Sequence, residues 1–417
     1  DFCLSRGLGD VYKRQHPEMP EEERGNLLGE CDLILSFLCY NDISAMSRLH
    51  RSASSRMSRP AISIQSGGGW TFGSPSVLMM FYRAPGELES ELAEMDECMP
   101  HYYRVTNCHG QGAETIMRAE ALFYQGHVTD AHIELERAYA QVGGNGQINM
   151  ALCCDFLSWR LSLHTDVERR YTFSERYAAL LRYHDASWIN IWSATSAYYH
   201  ALRGETDKIP EIFSQHRLSD IHLLAPGKPM MEMIENQVYL AQGAYAKVVG
   251  RSAELLAACE AMHYALVALH IRIQTAAAYA RLGKPETAHT WLQKALSDAG
   301  PDGLVMPFAE NYSILKPLLA RETRSAFTAR ITALGEAALA RGAERLRPAA
   351  FRALTAREFE IVELMAQRLS NREIAQKCYL SEGSVKQYVN QIYSKLHIEG
   401  DTRTKRAQLA ALLHEKT

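Results

Sequence analysis

The stretch "LSNREIAQKCYLSEGSVKQYVNQIYSKL", residues 369–396, contains clear signals for where helices begin. Ser370 stands three residues before Glu373, the capping-box pattern in which a hydroxyl and a carboxylate each bind a free backbone N–H. Ser381 is a second good N-cap, three residues after Cys378. The spacing predicts two helices, one beginning near residue 371 and one after residue 381, joined by a tight turn.

The second of these predicted helices has two different faces. Its apolar residues recur at helical spacing and are expected to face a core: Val385, Val389, Ile392 and Leu396. Lys386, Gln387 and Asn390 point the other way, and Glu382 adds the one acidic group there, at the start of the helix. A polar helix packed across its predecessor after a short turn is typical of a helix-turn-helix that enters the major groove of DNA.

A longer run resembles a known family. Thr355 and Glu358 form another capping-box pattern, and "LTAREFEIVELMAQRLSNREIAQKCYLSEGSVKQYVNQIYSKL" (354–396) resembles the LuxR-type DNA-binding domain. It matches the family pattern L-T-x-R-E, N-[KR]-E-I-A, S-x-x-[TS]-V-K and K-L. It departs in having Tyr388 where the family usually has His, and in the extended segment after Leu396. The alternative is a capped helical hairpin that only packs.

The resemblance implies roles for individual residues. Lys386, Gln387 and Asn390 fall where such domains contact bases, and Lys, Gln and Asn match purine edges in the major groove. Three basic residues fall at positions where domains of the family bind DNA phosphates, namely Arg372, Lys395 and Arg403. Residues 403–413 fall on the last helix, by which such domains pair on DNA. The implied partner is double-stranded promoter DNA, bound by a self-associating protein.

The distribution of charge agrees with this division. Residues 346–417 carry 12 Lys and Arg against eight Asp and Glu, a net charge of +4. The whole chain carries −3, so the preceding 345 residues carry −7. The tail is therefore the part suited to a polyanion.

Turn signals recur through the middle of the chain at a nearly constant interval. The landmarks are Gly86, Gly126, Thr165, Gly204, Gly243 and Gly283, at intervals of 39 or 40 residues. Each lies between stretches with helical apolar spacing, so the pattern predicts repeated helix-turn-helix units, a solenoid. Small residues beside the turns resemble tetratricopeptide repeats. An unknown small-molecule or protein effector is expected on the solenoid, with the concave surface as the default place.

The predicted fold class is all-α, a tetratricopeptide-like solenoid followed by a LuxR-type helix-turn-helix domain. Residues 1–15 resemble a translated adapter and are expected not to be native, with the chain truncated at its N-terminus. The sensor and oligomerisation domain is predicted over 16–345, a linker over 346–353 and the DNA-binding domain over 354–417.

No catalytic constellation is visible in the 417 residues. The sequence has no G-x-x-x-x-G-K-[ST], G-x-G-x-x-G, H-E-x-x-H or G-x-S-x-G motif, so we expect no enzyme activity, no cofactor and no metal in this chain. Nine scattered cysteines without a C-x-x-C pair are typical of a reducing cytoplasm. No apolar run is long enough to span a membrane.

The order of parts resembles the large ATP-binding LuxR-type regulators of the maltose-regulon activator type. That resemblance implies a P-loop ATPase module upstream, so ATP is possible in a full-length parent. The predicted function is a cytoplasmic transcription regulator that reads duplex DNA under control of the repeats. The alternative is a protein-binding scaffold in which the DNA-binding head is minor.

Overall fold

Helices and turns make up the part of the chain that the structure describes, and no β-strand occurs there. This computed structural model describes residues 19–64, 74–143, 147–167, 169–221, 225–346 and 349–414. The predicted leader, residues 1–15, lies outside these ranges. The chain divides into two compact units, the first ending at Ala338 and the second starting at Leu339. The linker predicted over 346–353 stays a prediction.

The first unit is a solenoid of paired helices. Its first half contains α1 (Glu21–Leu38), α2 (Ile43–Arg56), α3 (Val77–Phe81), α4 (Leu88–Thr106), α5 (Ala113–Tyr124), α6 (Val128–Gly143), α7 (Ile148–His164) and α8 (Phe173–Leu180). Its second half contains α9 (Ala186–Leu202), α10 (Glu211–Ser214), α11 (Lys228–Ala241), α12 (Tyr245–Ala261), α13 (Ala265–Arg281), α14 (Pro285–Ala299), α15 (Met306–Glu310) and α16 (Tyr312–Leu319). The helix α17 (Ala326–Leu346) follows.

Three of the predicted turns join full-length helix pairs. Gly126 lies between α5 and α6, Gly243 between α11 and α12, and Gly283 between α13 and α14. Their φ angles are 80°, 76° and 71°, in the left-handed region that glycine enters without a Cβ clash. These turns of the predicted repeat are therefore confirmed.

Two repeats depart from the expected helix-turn-helix unit. Gly204 ends α9 as predicted, but the second helix is reduced to the four-residue α10. Pro210 stands directly before α10, and a proline disfavours helical backbone in the residue before it. Thr165 ends α7 with extended backbone, and the next helix, α8, has eight residues. The second helices of these two repeats are therefore short.

The repeats curl back, so that early and late parts of the first unit touch. The side-chain amide of Asn41 donates to the carbonyls of Met80, at 2.9 Å, and Met262, at 3.0 Å. The Tyr82 hydroxyl donates to Asp302 at 2.5 Å. The contacts of Asn41 with Met262 and of Tyr82 with Asp302 join residues about 220 apart in the sequence. Helix α13, which lies in the chain between Met262 and Asp302, is buried on almost every side.

The interior of the solenoid is filled by its own chain. Residues 304–312 are almost wholly buried, and they contact the first helices of five successive repeats, α5, α7, α9, α11 and α13. Glu310 bonds Arg160 of α7, and Asn311 accepts from Gln237 of α11 at 3.0 Å. The concave surface expected to be the default place for an effector is therefore occupied along this stretch. Sequence spacing could not show it, because the paired residues Arg160 and Glu310 are 150 apart in the chain.

The second unit contains a compact three-helix core and a last helix. Its helices are α18 (Ala356–Ala366), α19 (Asn371–Cys378), α20 (Glu382–Lys395) and α21 (Thr402–His414). Their shared core is built from Phe351, Leu354, Ile361, Val362, Met365, Ile374, Ala375, Cys378, Val385, Ile392, Tyr393, Ile398 and Leu409. Among the described residues of both units, no helix combines the length and apolarity needed to cross a bilayer.

Candidate nucleic-acid interface

Capping boxes begin both α18 and α19. The Thr355 hydroxyl accepts from the Glu358 N–H at 3.2 Å, and the Glu358 carboxylate accepts from the Thr355 N–H at 2.7 Å. Ser370 and Glu373 repeat the arrangement at 3.3 Å and 2.7 Å. Both pairs satisfy backbone N–H groups that a helix start leaves free, which confirms the helix starts predicted from sequence.

A tight turn joins α19 to α20. Tyr379 ends α19 in the left-handed conformation, with φ 54° and ψ 41°. The Leu380 N–H then bonds the carbonyl of Ala375 at 2.9 Å, and Ser381 caps α20 by accepting from the Ser384 N–H at 3.0 Å. This is the predicted turn, and it packs α20 against both α18 and α19.

The two faces of α20 differ as the sequence predicts. Val385 and Ile392 are fully buried, whereas Val389 and Leu396 are half-buried against the same core. Lys386, Gln387 and Asn390 are all exposed on the other side. The ammonium of Lys386 lies 3.9 Å from the carboxylate of Glu382, one helical turn earlier.

An exposed face of this kind can meet base edges. Lys386, Gln387 and Asn390 lie in the first half of α20, the half that helix-turn-helix proteins place in the major groove. The Lys386 and Glu382 side chains are both exposed, and ion pairs between exposed side chains are weak. The three side chains are therefore available to a partner, although their contact with bases stays a prediction.

The predicted phosphate contacts have different surroundings. Arg372 is exposed near the start of α19. Lys395 instead donates to the Glu358 carboxylate at 2.7 Å. The Lys395 side chain is 40% exposed, whereas the Glu358 side chain is only 4% exposed. Arg403 lies in α21, and its side chain is outside the described residues. Phosphate binding by these three residues stays a prediction, and the pairing of Lys395 gives it a structural role as well.

The Lys395 pair also sets the charge of Glu358. Burial alone would raise the pKa of this carboxyl, but the hydrogen bonds from Lys395 and Thr355 outweigh burial and hold its pKa below 4.5. Glu358 therefore stays ionised while capping α18 and anchoring the end of α20.

Sequence reasoning missed two arginines that hold the unit together. Arg357 donates to the Cys378 carbonyl at the end of α19 and pairs with Glu360 at 2.5 Å. Arg406 of α21 reaches the Asn371 side chain at 3.3 Å and the Leu369 carbonyl at 3.4 Å. The bonds from Arg357 to Cys378 and from Arg406 to Asn371 and Leu369 join residues 21 to 37 apart in the sequence, and no local spacing signals them. The Arg357–Glu360 pair is local, three residues apart.

With this geometry in place, comparison with known proteins gives the class. Residues 352–407 match the family described as bacterial regulatory proteins, luxR family. The C-terminal part of this chain is therefore a LuxR-family helix-turn-helix domain, a fold that binds double-stranded DNA.

The chain is also similar to the transcriptional regulatory protein LnrK of Bacillus subtilis (strain 168), with 44% identity over 50 residues. That match covers 12% of this chain and 23% of LnrK.

Proposed function

We propose that this protein is a transcription regulator that reads duplex DNA with α20, under control of the helical repeats. The observation that carries the proposal is the face of α20, where Lys386, Gln387 and Asn390 are exposed while the opposite face is held by a buried core. These side chains can hydrogen-bond purine edges in the major groove. The match to LnrK, whose name describes a transcriptional regulatory protein, supports the same function.

The proposal is tested with the whole chain. A pool of randomised duplexes is enriched by binding, and the affinity for the selected duplex is compared with that for a scrambled duplex of the same composition. We expect a preference of ~10³ or more, the usual ratio for specific regulators. If no sequence is enriched, or if both duplexes bind equally, the proposal is wrong.

Control by the repeats requires a place for an effector, and a cavity offers one. A cavity of about 600 Å³ lies between the segment before α4 and helices α12 to α14. Leu256 and Leu269 supply apolar wall, while Arg272 and Asp298, paired at 2.8 Å, supply polar groups. Cavities of this size are typical of small-molecule sites. We assign the effector, a small molecule with both apolar and hydrogen-bonding parts, to this cavity.

A matched pair of variants tests this assignment. Ala257 lines the cavity, whereas Ala246 is exposed on the same helix and does not line it. Metabolites are screened for those that raise the unfolding temperature of the parent chain. The shift that each of them causes is then measured in Ala257→Trp and in Ala246→Trp. We expect Ala257→Trp to lose the shift and Ala246→Trp to keep it. Equal shifts in both variants would place the effector elsewhere.

Exposed apolar side chains on and around α8 favour a second candidate function, a scaffold that binds a partner protein. They are Val167, Tyr171, Tyr177, Leu181 and Tyr183, each between 38% and 51% exposed. Exposed aromatic residues are common in protein interfaces. A scaffold should keep its partner after deletion of residues 346–417, whereas a regulator loses its measured function with that deletion.

Self-association and the absence of ATP hydrolysis complete the proposal. We expect two copies to pair on DNA through residues 403–413, seen as cooperative binding to a duplex with two half-sites.

We also expect the purified chain to hydrolyse no ATP, because its sequence contains no phosphate-binding loop. ATP turnover above that of a mock purification would contradict this second expectation.

A further inference from the structure

Tyr379, in the turn between α19 and α20, has an unusual combination of properties. Its surface is 97% exposed, the highest value among the large apolar residues that the structure describes. Its backbone is left-handed, with φ 54° and ψ 41°. It lies two residues before Ser381, the cap of the helix proposed to read bases.

Neither the backbone nor the packing explains a tyrosine at this position. A Cβ atom strains the left-handed conformation, so glycine or asparagine ends a helix there more easily. An exposed ring gains no burial from folding. The side chain is therefore fully accessible to a binding partner.

We propose that the Tyr379 hydroxyl donates a hydrogen bond to a backbone phosphate of the DNA that α20 reads. The inference rests on the proposed function and adds a positioning contact to it. When the first half of α20 lies in the major groove, which is about as wide as a helix with its side chains, the residues just before it meet the sugar-phosphate wall. Tyrosine hydroxyls are among the groups that bind phosphates there.

The surroundings of Tyr379 favour an anionic partner. The preceding helix presents the exposed side chains of Arg372 and Lys377. The carboxylate of Glu373, on the same helix, is held by Ser370 in the capping box. Tyr379 therefore follows a helix with two exposed cations and precedes the helix with the polar face, which fits DNA better than an apolar protein partner.

The test uses the whole chain and three variants. Tyr379→Phe removes the hydroxyl, and Tyr379→Gly removes the ring and relieves the backbone. His397→Gly is the matched control, because His397 is also exposed and left-handed, with φ 53°, and follows the far end of the same helix. The 14 residues of α20 separate the two positions by about 20 Å. Each variant is titrated with the selected and the scrambled duplex at several salt concentrations.

We expect Tyr379→Phe to weaken binding to both duplexes about tenfold, the effect of one hydrogen bond to a charged group. The salt dependence should stay unchanged, because a neutral hydroxyl releases no counterion. Tyr379→Gly should lose at least as much affinity while its unfolding temperature does not fall. His397→Gly should bind like the parent.

Other results would overturn the inference. Parental affinity in both Tyr379 variants would show that the side chain does not touch DNA and would favour a protein partner. A loss confined to the selected duplex would mean base reading instead of phosphate binding. A parent chain with no preference between the duplexes would be a failure of the proposed function itself, which the same titration separates from a failure at Tyr379.

Discussion

Arg160 and Glu310 form a bidentate ion pair in the interior of the solenoid, although 150 residues separate them. The two nitrogen–oxygen distances are 2.7 Å and 3.0 Å, and the side chains are 1% and 0% exposed. The guanidinium carbon lies 4.7–5.5 Å from the ring centroids of Phe123, Tyr124, Phe156 and Tyr198. Burial alone would lower the pKa of Arg160, but the attraction of Glu310 outweighs burial and holds the pKa above the usual value of arginine.

Removal of one partner of this pair should strongly destabilise the first unit. Glu310→Ala leaves the Arg160 charge buried without compensation, which typically costs about 3–5 kcal/mol of unfolding free energy. Replacement of both residues by Met should cost less than the sum of Arg160→Met and Glu310→Met, because no uncompensated charge remains. Denaturant unfolding of the parent, Glu310→Ala, the two single Met variants and the double Met variant measures both effects.

The matched control is an exposed pair. Arg321 and Glu286 are also joined by two contacts, at 2.9 Å and 3.0 Å, with side chains 41% and 79% exposed. Water already solvates such a pair, so Glu286→Ala should leave the stability unchanged. Equal losses from Glu310→Ala and Glu286→Ala would show that the buried pair does not secure the segment 304–312.

Two buried carboxyls should each contribute less to the stability of the first unit as the pH rises. Glu120 is fully buried and accepts from the Leu78 N–H at 2.7 Å, and burial raises its pKa from 4.5 to about 7. Because the folded chain then holds a proton that the unfolded chain releases, the contribution of Glu120 to the free energy of unfolding should fall as the pH rises from 4.5 to about 7. Burial also raises the pKa of Glu91 to about 7, with the same sign.

Two variants separate these contributions. Glu120→Gln keeps the shape of a neutral carboxyl and does not titrate, so the loss of stability that Glu120 contributes across this pH range should be absent from the variant. The double variant with Glu91→Gln should lack the contributions of both carboxyls. Urea unfolding of the parent and both variants at several pH values measures the slopes, and equal slopes in the parent and Glu120→Gln would contradict the expectation.

The sequence predicted local features well and tertiary contacts poorly, for a physical reason. The capping box of Ser370 and Glu373 joins residues three apart, so the spacing alone contains the whole interaction. The turn at Gly126 likewise needs only the missing Cβ of one residue. Helix starts, turns and the exposed face of α20 were therefore predictable.

The filled interior of the solenoid was not predictable in this way. Glu310 meets Arg160 only because five repeats curl around the segment that carries it, and the local pattern of neither residue records the other. Lys395 shows the same limit within the candidate site. Its place in the family pattern indicated a phosphate contact, whereas the structure shows its pairing with Glu358, 37 residues away.

The pairing of Lys395 with Glu358 should make the C-terminal unit sensitive to acid. The pKa of Glu358 is lower in the folded chain than its unfolded value of 4.5. Its contribution to stability is therefore present above pH 4.5 and is lost as the pH falls through the folded pKa. Glu358→Gln should remove this acid-dependent part of the stability. The unfolding temperature of the parent and the variant, measured from roughly pH 3 to 7 so that the usual range of carboxyl pKa values is covered, checks this expectation.

Lys395 variants distinguish its structural role from a phosphate contact. Lys395→Ala should destabilise the C-terminal unit by about 1 kcal/mol, at the low end for losing a charged partner because 40% of the side chain is exposed. Lys395→Arg keeps the charge and serves as the control. A Lys395→Ala chain that unfolds like the parent but binds all DNA more weakly would assign the residue to phosphate alone.

Substitutions on the exposed faces of α19 and α20 should change DNA affinity in different ways. Asn390 and Gln387 are exposed on α20, and replacing either by Ala should cost ~1–3 kcal/mol on the selected duplex and little on random DNA. Arg372→Ala should weaken both duplexes alike and reduce the salt slope by about one, because one phosphate contact is lost. Titrations at several salt concentrations measure both effects. The same uniform loss from Asn390→Ala and Arg372→Ala, or no loss from either, would mean that α20 does not read bases, and the scaffold function would gain support.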